Sequence, residues 1–104
     1  MLLKALDGLS LRSAATAQNI ANAGTPDYRP VRVSFEQALA GAAVRGGEAV
    51  AAVRPTLQQG PAGEPLRLDL ELASESGTAA RYTALIELLS RQIQMQALSI
   101  TGNK

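Results

Sequence analysis

Two places in the chain hold residues able to do chemistry. In the run PLRLDLEL (65–72), Asp69 and Glu71 stand two apart. On a strand they would share a face, and paired carboxylates can support general acid/base work. Near the front, NIANAGTPDY (19–28) sets two amides, Asn19 and Asn22, just before a turn that ends in Tyr28. Side-chain amides both donate and accept hydrogen bonds, so their chemistry is recognition rather than bond-making. A helix that merely stops needs a glycine and a proline, and this junction carries far more.

The carboxylate pair lacks partners for catalysis. The chain has no His and no Cys, and the sequence shows no phosphate-binding glycine loop or metal-ligand cluster. Acidic residues ahead of a helix are expected from its dipole. The reading is therefore not an enzyme, with no cofactor and no metal. Ten Lys and Arg against nine Asp and Glu leave a formal charge of +1, too balanced for the basic surface that phosphate binding needs, so no nucleic-acid partner is expected. A lipid-surface helix would want a basic polar face, whereas Glu75 and Glu87 accompany Arg81 and Arg91. No direct lipid binding is expected. The opening MLLKALDGLSLRSAATAQ carries Lys4, Asp7 and Arg12 and lacks the apolar run of a cleaved signal or a membrane span.

The 104 residues suffice for one small domain, 1–104. The hydrophobic fraction of 46% is inflated by alanine, and the 3% aromatics are Tyr28, Phe35 and Tyr82 alone, which predicts a thin core. From Leu2 to Ala23, the positions Leu2, Leu6, Leu9, Ser13, Thr16, Ile20 and Ala23 alternate steps of three and four, a coiled-coil seam. Gly24 suits a left-handed cap and Pro26 forbids continuation, so a first core helix spans about 1–24. Residues 25–68 read as an outer segment. Within it, Val31, Val33 and Phe35 alternate as a short extended piece, and Ser34 with Gln37 reads as a capping box opening a short helix to about Ala43. The Gly/Pro/Ala-rich stretch 41–65 reads as a mobile connector with one extended piece near 50–57.

Residues 66–72 fit a strand or a helix. Beyond them, Leu72, Glu75, Ala79, Tyr82, Ile86, Leu89, Ile93, Gln96 and Ile100 repeat at three and four, marking a second core helix over 69–104. Ser76-Gly77-Thr78 is its weak point, Glu87 with Arg91 would form an i,i+4 pair, and Arg81, Arg91 and Lys104 follow the acidic start as the dipole favours. The fold class is mainly α: two long terminal helices paired as a coiled coil around a loose middle. Such helices need each other, or neighbouring subunits, to persist.

The stretch LDGLSLRSAATAQNIANAGTPDYRPVRVSFEQAL resembles the N-terminal signature of the flagellar rod and hook axial proteins, and its best fit is among their basal-body rod members. The matching positions are Leu6-Asp7, Leu11-Arg12, Asn19 to Tyr28, Arg29 and Phe35; Asp27 stands where the family has glycine. ARYTALIELLSRQIQM (80–95) is similar to the leucine-rich ending of the same family. The two stretches cover about half the chain. The resemblance implies a structural component of the proximal rod, with other axial rod or hook proteins, or a generic helical-hairpin interaction module, as the alternative. It implies terminal helices lining a tubular core, with copies of itself, other rod proteins, the basal-body base and the type III export apparatus as partners. It implies a rod in the periplasmic space, reached by export without a cleaved signal. Interface positions under that reading are Leu6, Leu9, Asn19, Ile20, Asn22, Thr25, Pro26, Tyr28, Tyr82, Ile86, Leu89 and Ile93. Phe35 and Leu39 resemble the Phe-x-x-x-apolar element read by the export gate, although packing of the short helix explains Phe35 as well.

Overall fold

A computed structural model describes residues 1–102. The protein is mainly α: α1 (Leu2–Ala21), β1 (Val31–Ser34), α2 (Glu36–Arg45), α3 (Gly47–Ala52), β2 (Thr56–Gln59) and α4 (Leu68–Gly102). Lys104, expected to complement the dipole of the last helix, lies outside the described residues. No helix among those described is long and apolar enough to cross a membrane.

The helices α1 and α4 pack antiparallel. Asn19 of α1 bonds Glu71 of α4, and Ser13 bonds Glu75. Further along, Leu9 shares a groove with Thr78 and Tyr82, and Ala5 shares another with Leu85. At 1.5 Å per residue α4 is about 52 Å long and α1 about 30 Å. The last turns of α4 therefore project past the start of α1, and the molecule measures 64 × 26 × 13 Å.

On its other flank α1 carries an antiparallel two-stranded sheet of β1 and β2, joined through α2 and α3, with Val33 opposite Leu57 and Ser34 opposite Thr56. The small core lies between α1 and this lobe. Leu9, Ala15, Val33, Phe35 and Leu39 form it, with Val50, Val53 and Leu85 packed around it. Ala42 on the inner face of α2 has no exposed surface.

The middle of the chain corrects several expectations. Residues 41–65 are not a connector. They hold the end of α2, all of α3, and β2. The only extended strand there is 56–59, and Val50 is helical. Ser34 belongs to the strand ladder, so no capping box forms; Phe35 is the N-cap of α2 and no side chain bonds the free amides. Gly41 is carried inside α2, which stops at Gly46. There φ is +116°, a conformation that only glycine adopts cheaply, and it lets α3 start at once.

Residues 66–72 resolve in favour of helix from Leu68, and α4 runs unbroken through Ser76-Gly77-Thr78. Glu87 and Arg91 form no ion pair there. The line of α4 that meets α1 keeps Glu75 and Leu89 of the expected seam but takes Glu71, Thr78 and Leu85 in place of Leu72, Ala79 and Ile86. Glu71 and Thr78 are the buried positions, with Glu75, Leu85 and Leu89 half-buried, whereas Leu72, Ile86 and Ile93 are exposed.

Candidate functional site

The residues of NIANAGTPDY build a joint within the chain. Helix α1 ends at Ala21, and Asn22 caps it by donating from Nδ2 to the Gln18 carbonyl at 2.9 Å. The Thr25 hydroxyl donates to Asn22 Oδ1 at 3.0 Å, and the Thr25 amide donates to the Asn22 carbonyl at 2.9 Å. Pro26 then occupies the first corner of a turn closed by the Tyr28 amide on the Thr25 carbonyl. The left-handed residue is Asp27, with φ 60°, rather than Gly24. Proline followed by a positive φ is the pattern of a type II turn. Glycine is the easiest residue at that second corner, and aspartate is among the few others that tolerate it.

Asn19 is the centre of the joint and is fully buried. Its Oδ1 accepts from the Val31 amide at 2.8 Å and from the Tyr28 hydroxyl at 3.0 Å. Its Nδ2 donates to the Val31 carbonyl at 3.0 Å and to Glu71 Oε2 at 3.1 Å. Two donors and two acceptor positions are all an amide has, and all four are used. The side chain thus pairs with the backbone of Val31 as a neighbouring strand would, while holding the turn and the first turns of α4. Glu71 is 3% exposed; its other oxygen accepts from Arg32 at 2.6 Å. Its burial is matched by one donor on each oxygen, Asn19 from α1 and Arg32 from β1, the condition under which a buried carboxylate is tolerated.

A second joint lies on the same flank. Arg12 forms a two-pronged pair with Glu36, donates to the Val33 carbonyl at 2.8 Å, and lies 5.0 Å over the Phe35 ring. The hydrogen bonds from Arg12 draw the Glu36 carboxyl down from 4.5 to about 2. Beneath the ring is Gly8, where any side chain would collide with Phe35.

Of the residues expected at subunit contacts, Leu6, Leu9 and Asn19 are therefore buried inside their own chain, and Asn19 has no bonding capacity left. In this single chain it acts as an internal clip. Asn22 is a helix cap, Ile20 and Tyr28 are half-buried, and Thr25 and Pro26 are exposed. Tyr82, Ile86 and Ile93 are exposed at 39%, 40% and 57%, and Leu89 is half-buried. Phe35 and Leu39 are both in the core at 4%. Asp69 pairs with Arg67 at 2.8 Å, and Glu71 faces inward, so the two carboxylates look onto different surroundings. Sequence reasoning missed Gly8 and gave Arg12 no role, although both belong to the stretch LDGLSLR. It also missed the structural use of Glu71.

Along α4, large apolar side chains stand exposed on more than one side of the helix. Leu68, Leu70, Leu72, Ile86, Leu88, Ile93, Met95, Leu98 and Ile100 are each 40–73% exposed. Compared with models of protein families and with curated proteins, the chain matches none.

Proposed function

We propose that this chain is a structural subunit of the bacterial flagellar basal-body rod, of the proximal-rod kind represented by FlgB. Its terminal helices would pair as a coiled coil in the tubular core and residues 25–68 would form the outer lobe. The steps of four and three along Glu71, Glu75, Thr78, Tyr82, Leu85 and Leu89 suit a heptad seam. Its partners would be copies of itself, other rod proteins, the basal-body base and the type III export apparatus. The location would be the rod, in the periplasmic space, after export in an unfolded state; Phe35 and Leu39, core residues once folded, would be legible to the gate only then.

The observation that carries the assembly reading is the run of exposed large apolar side chains along α4, the kind of surface that marks an interaction site, beside Asn19 and Arg12 joints whose bonds are made within the chain. A molecule that clips its lobe so firmly yet leaves that helix bare is built to be completed by others. Tubular assembly requires different patches on the two sides of each subunit. The test is to delete the native copy from cells and complement with a tagged chain. Basal-body localisation and restored swimming are expected. Full swimming without the protein would reject the reading.

A further inference from the structure

One carboxylate in the α1–α4 seam is left incomplete. Glu75 Oε1 accepts from the Ser13 hydroxyl at 2.7 Å, but Oε2 is buried and has no partner. Glu75 borders a groove of about 300 Å³ that is also lined by the hydroxyl residues Ser10, Thr78, Tyr82 and Thr83, with Leu9 at its apolar wall. Burying a carboxylate oxygen without a donor is unfavourable, so the groove is poised for a cation that brings several N–H groups.

The same helix carries a matching group. Arg91 is exposed on the projecting turns of α4, has no ion-pair partner among the described residues, and is flanked by Leu88 and Met95, which are 49% and 69% exposed. A guanidinium between two apolar side chains fits a groove with a carboxylate, hydroxyls and a leucine wall. Its five donors exceed what Glu75 alone accepts, which gives the hydroxyls a use.

We infer that the Glu75 groove receives Arg91 from a second copy of this chain. Sixteen residues separate the two along α4, about 24 Å of rise and about 160° of turn. Socket and plug therefore lie on nearly opposite faces of one helix and cannot meet within one molecule. Between molecules the contact is heterologous and leaves a free socket and a free plug after every addition, so it propagates. The terminal torsion of a glutamate is soft, which lets Oε2 turn toward the incoming donor. This inference rests on the assembly reading and gives it a specific contact between copies.

The experiment is sedimentation equilibrium on the purified full chain, with Glu75→Gln, Arg91→Gln and the double variant, alongside circular dichroism melts of each. Concentration-dependent association is expected for the parent chain, at least tenfold weaker in either single variant. The double variant should be no weaker than the poorer single one, because both remove the same contact. Arg91→Gln should melt like the parent, which separates loss of contact from loss of fold, and Arg91→Lys should recover part of the association. A parent chain that stays monomeric, association unaffected by Arg91→Gln, or fully additive losses would overturn the inference. Basal-body localisation tests the rod reading independently, so each can fail without the other.

Discussion

The ring of Phe35 lies against the backbone of Gly8 so closely that a methyl group added to residue 8 would stand 2.5 Å from the ring carbons. Phe35 is the one phenylalanine in the chain and sits in the centre of its small core. Because the ring is also under Arg12, it has little room to retreat. Alanine at residue 8 would gain up to about 1 kcal/mol of helix propensity, but overpacking costs about 1–3 kcal/mol. Gly8→Ala should therefore lower the urea midpoint of the isolated chain. An unchanged or raised midpoint would show that the ring moves freely.

The Asn19 clip predicts an ordered series. Tyr28→Phe removes one donor and leaves Asn19 with three bonds, a loss of about 1 kcal/mol. Asn19→Asp replaces an N–H that faces Glu71 and the Val31 carbonyl with an acceptor, setting carboxylate against carboxylate in the interior. The loss should reach about 3 kcal/mol or more. Urea melts of the two variants at neutral pH test the order, and equal effects would mean that Glu71 is not held by Asn19.

Acid should loosen the lobe through Glu36. Its carboxyl titrates near 2 when folded against 4.5 ordinarily, chiefly because Arg12 donates to it. A depressed folded value means that the stabilisation is complete above about pH 4.5 and is lost as pH falls toward 2. The Glu36 side chain is 50% exposed, so solvent screening holds the contribution to about 1 kcal/mol or less. Thermal midpoints of the parent and Glu36→Gln should differ at pH 6 and converge near pH 2. A difference that persists at pH 2 would assign the effect to packing.

The terminal helices were legible because their apolar residues repeat at helical spacing, and a short extended segment was legible from Val31, Val33 and Phe35. The seam was misplaced at alternate positions, where Leu72, Ala79 and Ile86 were expected and Glu71, Thr78 and Leu85 turn inward, for a physical reason. Periodicity counts apolar groups, and here the buried positions of α4 are Glu71 and Thr78, while Leu72 and Ile86 face out. Polar residues were chosen inward because Asn19, Ser13 and Arg32 await them, 52, 62 and 39 residues away in sequence. No local pattern reports such partners. β2 was caught only at its start by the extended piece expected near 50–57, for the converse reason: Thr56 to Gln59 are all exposed and carry no apolar alternation, so only the ladder to β1 makes them a strand. In the joint, the turn chemistry of Pro26 and Asp27 could be read locally, whereas the fourfold bonding of Asn19 could not.

Leu89 and Ile93 are four residues apart on α4 but differ in what covers them, and this separates folding from assembly. Leu89 is half-buried where α4 runs beside the start of α1, so Leu89→Asp places a charge against the chain's own helix and should lower monomer stability by about 2–3 kcal/mol. Ile93 is 57% exposed on the projecting turns. Ile93→Asp should leave the melt of the isolated chain within about 0.5 kcal/mol of the parent. In an assembled rod the same carboxylate would be buried without a partner, at several kcal/mol. An unfolded export substrate carries neither contact, so both variants should be secreted normally. The expected outcome for Ile93→Asp is a stable, secreted protein missing from basal bodies in non-swimming cells. Normal swimming with Ile93→Asp would remove the projecting face of α4 from the interface.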